Sequence, residues 1–220
     1  MGKVVERGVI ETEEDIAKGV RALRRKCPHM RRVHDVVGTP PLRRRPGGFT
    51  GLVRIVVGQQ LSISSAAAIW SRVEAGVVPF DPAQIMRLDD DALRSFGLSR
   101  SKIATIRSLA TAVLDGTFDV AALDGAQDQD IHKALTGLRG FGPWSADIYI
   151  MFCLGRRDGF AAGDLALQEG VRLVMGLEAR PNAAQLQDIS ERWRPWRGVA
   201  ARLLWAHYGM MKQISSATPG

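Results

Sequence analysis

Residues 138–172 read LRGFGPWSADIYIMFCLGRRDGFAAGDLALQEGVR, and this stretch decides both the fold class and the chemistry to look for. One helical pattern ends near Thr136, a second runs over 143–154, and a Gly-Phe-Gly turn joins them. A third pattern opens at Leu165, directly behind Asp164. Gly140 and Gly142 are free to adopt the positive φ that such a reversal demands. Pro143 suits a first helical position, because its missing donor would be unpaired there anyway. Amides between Gly142 and Trp144 then face outward at a helix start, where the dipole favours an anion. Taken alone, Gly-x-Gly is a common helix–helix turn, and Asp164 is an ordinary helix N-cap. An aspartate at a cleft can also face developing positive charge, since a free aspartic acid is ionised at neutral pH. A phosphate anchor followed by one placed carboxylate points to chemistry on a nucleic acid.

Outward from this stretch the apolar spacing stays helical, and no long alternating pattern appears. Helices are expected over 13–26, 49–58, 62–75, 82–87, 89–96, 99–114, 128–136, 165–175, 182–191 and 198–212. Residues 27–48 read as mixed, broken by Pro40, Pro41 and Pro46. The expectation is an all-α protein of two helical lobes with a cleft between them for DNA and a base. Residues 1–50 form an N-terminal helical segment packed on the C-terminal lobe. Residues 51–214 form the main domain: a lobe over 51–138, the hairpin and aspartate over 138–172, and closing helices over 176–214. Residues 215–220 read as a disordered tail.

Composition narrows the partners. Among 220 residues, 30 Lys and Arg against 23 Asp and Glu give a net charge of +7, which favours a polyanion, nucleic acid before membrane. Cys27 and Cys153 are the only cysteines, so one chain holds neither a disulfide framework nor a four-cysteine metal site. No apolar run approaches the ~18 residues of a membrane span, and the N-terminus lacks a signal-peptide core. The expected location is therefore cytoplasmic, at a bacterial nucleoid, or nuclear.

Four ordered segments carry a family resemblance. The hairpin with Asp164 resembles the helix-hairpin-helix (HhH-GPD) DNA glycosylase superfamily. IVVGQQLSISSAAAIW (55–70) is similar to the Gly-Gln loop and helix of its alkylation-repair members. LRSFGLSRSKIATIRSLA (93–110) fits with its Gly-Leu-Ser and Lys102. ERWRPWRGVAARLLWAHYG (191–209) resembles the C-terminal helix of the bacterial 3-methyladenine DNA glycosylase II family, in a compact form without that family's N-terminal mixed domain.

The resemblance implies a monofunctional glycosylase that flips alkylated purines, of the 3-methyladenine and 7-methylguanine type, out of duplex DNA and hydrolyses the N-glycosidic bond in base excision repair. It makes Asp164 catalytic and assigns Trp144, Ile148 and Trp205 to the base pocket. Gln60 and Leu61 become the wedge that fills the gap in the duplex. Gly140, Gly142 and Trp144 take the phosphate, and the carbonyls of Thr136, Leu138 and Phe141 match those that hold a monovalent cation when DNA is bound. No cofactor and no catalytic metal are expected, and a monomer suits an enzyme that scans DNA. Trp144 stands where strand-cutting members carry a Schiff-base lysine, which implies no lyase activity.

Three positions depart from the family pattern. Arg139 replaces a hairpin proline, Ile148 a pocket tyrosine, and Gly163 an acidic neighbour of the aspartate. The alternatives are a lesion-binding protein without catalysis, a glycosylase for another damaged base, and a bifunctional glycosylase/lyase. Trp70, Trp193 and Trp196 read as packing residues. The nine Arg and Lys of residues 21–45 read mostly as a solvated face that adds salt-dependent affinity.

Overall fold

The computed structural model describes residues 8–217, with side chains described as far as Ile214. Thirteen α-helices follow in chain order among these residues. The first six are α1 (Glu13–Lys26), α2 (Pro28–Val37), α3 (Gly48–Gly58), α4 (Ile63–Gly76), α5 (Pro82–Arg87) and α6 (Asp90–Ser95). Next come α7 (Arg100–Leu114), α8 (Ala122–Gly125), α9 (Asp128–Thr136) and α10 (Pro143–Ile148). The last are α11 (Leu165–Met175), α12 (Ala183–Ser190) and α13 (Arg197–Ala217). The only β pairing among the described residues is one antiparallel bridge, Val9 to Arg156. The protein is all-α, as the periodicity indicated.

Beside the short α8, which was not expected, two differences from the expected elements have local causes. The stretch read as mixed contains α2, which starts at Pro28 in a first-turn position and ends at Gly38, φ 71°. Pro40, Pro41 and Pro46 lie beyond the helix rather than in it. At the other end, α13 runs to Ala217, past Ser215 where a tail was expected, and residues 218–220 lie outside the described residues.

The chain divides into two compact units. Unit 1 combines the residues up to Arg44 with those from Gly155 onward, and unit 2 is Arg45–Leu154. In unit 1, α13 packs against α1, α2 and α11 over a core of Ile16, Val20, Leu23, Met30, Leu167, Val171, Leu203 and Leu204. A capping box starts α1: Asp15 N–H donates to Thr12 Oγ1 at 3.2 Å, and Thr12 N–H donates to Asp15 Oδ2 at 3.0 Å. Acidic residues fill its first turn and basic ones its last, matching the helix dipole. Gly19 lets α13 come close, since a Cβ there would lie 2.6 Å from Val199.

Unit 2 is built around α3. Leu52, Val53, Ile55, Val56 and Val57 are all buried, so the helix is apolar nearly all round, the mark of a central helix. It packs against α4, α7 and α10. Beyond α10 the chain continues as a π-helix, Tyr149–Cys153, in which Leu154 N–H donates to Tyr149 O at 3.1 Å. The widened turn is a departure from regular helix of a kind frequent at functional sites.

Candidate nucleic-acid interface and catalytic aspartate

In unit 2 the hairpin joins α9 to α10. Gly140 is its corner at φ 79°, a backbone state that glycine adopts at no steric cost. A Cβ there would also collide with the Thr105 side chain. Gly142 differs from expectation: it is extended at φ −101° and serves as N-cap of α10, so one left-handed residue completes the reversal. A Cβ on Gly142 would meet nothing within 4 Å. Pro143 takes the first helical position, leaving Gly142 and Trp144 as the N–H donors at the helix start. Trp144 is half-exposed. Thr136 ends α9 with its Oγ1 donating to His132 O at 2.7 Å, and Leu138 O accepts from Phe141 N–H at 3.2 Å.

The neighbours on the hairpin's second helix are interior. Ile148 is 4% exposed and Tyr149 is fully buried. Tyr149 Oη accepts from Gly48 N–H at 3.0 Å, and burial pushes its phenol up to about 12. That side chain is fixed inside unit 2 and takes no open-pocket role in place of the tyrosine missing at position 148.

The turn between α3 and α4 lies beside the hairpin within unit 2. Gln60, at φ 56°, is the single non-glycine residue of positive φ among the described residues, a conformation costing roughly 1–2 kcal/mol. Gln60 and Leu61 are both exposed. Gln59 Nε2 donates to Gly140 O at 3.0 Å and to Ser145 Oγ at 2.9 Å. Lys102 Nζ donates to Val57 O at 2.7 Å, and its burial lowers its pKa. A groove of about 360 Å³ is lined by Gln59, Gln60, Leu61, Lys102, Thr105 and Gly140, among others.

In unit 1, Asp164 caps α11. Its Oδ1 accepts from Leu167 N–H at 3.0 Å and from Trp205 Nε1 at 3.0 Å. The carboxylate is half-exposed, with Gly163 exposed before it and Leu165 exposed behind it. Trp205, on α13, is half-exposed too. One turn into α11, Arg172 Nη2 pairs with Glu169 Oε1 at 2.7 Å and holds that carboxyl below the usual range. Two donors on one carboxylate oxygen thus fix its direction by both a helix start and an indole.

Of the residues singled out in the sequence, the structure joins Asp164 to Trp205 and gathers Gln60, Leu61 and Gly140 around one groove. Trp144 and Ile148 belong to unit 2, and Trp205 to unit 1. Trp70 packs tilted against Phe80 with ring centroids 5.3 Å apart, and Trp193 against Phe160 at 5.9 Å. Trp196 carries Arg157 over its ring at 5.2 Å. Within the basic N-terminal stretch, Arg21 pairs with Glu14 at 2.7 Å, Arg24 with Asp35, and Arg31 Nη2 donates to Arg24 O at 3.1 Å. Sequence reasoning passed over the roles of Gln59 and Thr105. A donor side chain beside the turn was the available signal for Gln59; nothing local marked Thr105.

The family described as HhH-GPD superfamily base excision DNA repair protein matches residues 53–195. A Schizosaccharomyces pombe protein named DNA-3-methyladenine glycosylase 1 is 30% identical over 162 residues, which is 71% of this chain and 71% of its own length. The solved structure of a DNA-3-methyladenine glycosidase from Bacillus halodurans aligns with TM-score 0.73 at 33% identity, covering 89% of this chain and 91% of that one. The S. pombe 3-methyladenine DNA glycosylase in complex with abasic DNA aligns with TM-score 0.80 at 25% identity, covering 92% and 100%.

Proposed function

We propose that this chain, which belongs to the HhH-GPD superfamily of base excision DNA repair proteins, is a DNA glycosylase that hydrolyses the N-glycosidic bond of alkylated purines in duplex DNA. It acts as a monomer where the genome is held. The observation that carries the reading is the pair of donors on Asp164 Oδ1, from Leu167 and from Trp205. A carboxylate aimed in this way is preorganised, so it needs no rearrangement when positive charge develops opposite it.

The chemistry asks for little else. Extruding a base costs a few kcal/mol, and damage lowers the cost. Alkylation at purine N3 or N7 makes the base cationic and a good leaving group. As the C1′–N bond breaks, the bonding electrons leave with the base and the sugar becomes oxocarbenium-like. Asp164 stabilises that cation and directs a water to C1′. The Trp205 ring attracts a cationic base through a contact worth roughly 0.5–2 kcal/mol.

Unit 2 supplies the grip. The Gly142 and Trp144 amides take a phosphate, and the bare Cα of Gly142 leaves room for it. Thr136, Leu138 and Phe141 offer neutral carbonyl oxygens, a donor class that would hold a monovalent cation, which would supply positive charge for binding the DNA backbone. Leu138 O accepts one hydrogen bond and keeps a second lone pair for that purpose. Gln60 and Leu61 enter the duplex where the nucleotide left. Trp144 cannot form an imine, so the abasic site stays uncut.

The test is to incubate methylated duplex DNA with the protein, identify freed bases by chromatography, and leave half of each sample without alkali. Freed methylpurines with strands intact before alkali are the expected result. No freed base would overturn the glycosylase reading, and strand breaks without alkali would overturn its monofunctional part.

A further inference from the structure

The turn that carries Gln60 is tied at two points just before that residue. Before it, Lys102 holds the Val57 carbonyl at 2.7 Å, one of the carbonyls that a helix end leaves without an internal partner. Adjacent to it, the Gln59 amide nitrogen spans to Gly140 O and Ser145 Oγ at 3.0 and 2.9 Å. Gly140 is the corner of the hairpin, and Ser145 is a buried residue of α10. A single side chain therefore joins the residue preceding Gln60 to the corner of the hairpin and to its second helix. An amide suits the place because its nitrogen has two hydrogens for two acceptors. A carboxylate of the same shape would set oxygen against the Gly140 carbonyl.

The geometry points to Gln59 as a positioning residue that couples phosphate capture at the hairpin to insertion of Gln60 between stacked bases. The inference rests on the glycosylase reading above. It adds that the left-handed conformation of Gln60 is held ready in the free protein, and that Gln59 passes the hairpin's grip on DNA to it. A loss of this link should matter where a base must be forced out of a pair, and should matter little where nothing holds the base in.

The test compares wild type with Gln59→Glu under single-turnover conditions on two duplexes. Each holds one 7-methylguanine, placed opposite cytosine in the first and opposite a tetrahydrofuran abasic analogue in the second. Gln59→Met, which keeps chain length without adding charge, is measured alongside. Both variants should lose tenfold or more in base release from the paired duplex and less than threefold from the unpaired one. Equal losses on both duplexes, or none on either, would overturn the inference and leave the glycosylase reading standing. Failure of wild type on both would overturn the reading and the inference with it.

Discussion

Replacing Asp164 by asparagine separates its two jobs. Asparagine retains an oxygen that accepts from Leu167 N–H and from Trp205 Nε1, both 3.0 Å away in the native protein. It also caps helices about as well as aspartate. Folding stability should therefore change by no more than a few tenths of a kcal/mol, a melting shift of about 1–2 °C for a chain of this size. What disappears is the charge. At a separation of ~4 Å and an effective dielectric of ~20, two unit charges interact by about 4 kcal/mol, roughly a thousandfold in rate. Asp164→Ala provides the contrast: it loses the cap, about 1 kcal/mol, and the hydrogen bond from the half-exposed Trp205 indole, about 1 kcal/mol more. Single-turnover release of methylpurines, measured beside thermal melting, distinguishes the two. The reasoning fails if Asp164→Asn releases bases within threefold of the wild-type rate, or if its rate falls only as far as its stability does.

Three further outcomes follow from the geometry. Trp205→Phe keeps a ring but removes the donor to Asp164, so kcat should drop about tenfold with KM little changed; a change confined to KM would show that the indole only binds. Gln60→Gly relieves strain of roughly 1–2 kcal/mol, partly offset by glycine's greater unfolded freedom, so melting should rise by a few degrees while excision from paired DNA falls. Tyr149 keeps its proton in the folded state up to about 12 against an ordinary 10.0. The stability it contributes is complete below pH 10 and is lost as pH rises towards 12, about 2–3 kcal/mol in all. Denaturant titrations of Tyr149→Phe between pH 9 and 11.5 should show a flatter alkaline decline than wild type, and parallel curves would refute the assignment.

Most of the helical frame was legible because its signals are local. Thr12, Ser62, Asp81, Ser99, Asp164 and Asn182 all accept from the third residue of the following helix, and such caps are visible in sequence. α2 was missed because Pro40, Pro41 and Pro46 made the whole of 27–48 read as broken, although they follow the helix that Pro28 begins. The widened turn after Ile148 carries no composition signal, since α and π geometries bury the same apolar run. Asp164 and Trp205 are both marked by the family pattern, but only the fold puts an indole nitrogen on that carboxylate across 41 residues. Gln59 shows the limit from the other side. Its neighbours in sequence suggest a loop side chain facing solvent, and its partners lie over 80 residues away.

Unit 2 is inserted whole between the two stretches that make unit 1, and the chain enters and leaves it at adjoining points, where Arg45 N–H donates to Phe152 O at 3.0 Å. On the ribosome, α1 and α2 emerge long before their partners α11 and α13. At about 5–20 residues per second they wait on the order of ten seconds with apolar faces uncovered. Unit 2 has all its own pieces by then and can close first. A chain ending at Leu154 and released from the ribosome should accordingly hold a protease-resistant hairpin and α3–α4 turn, with no place yet for Asp164.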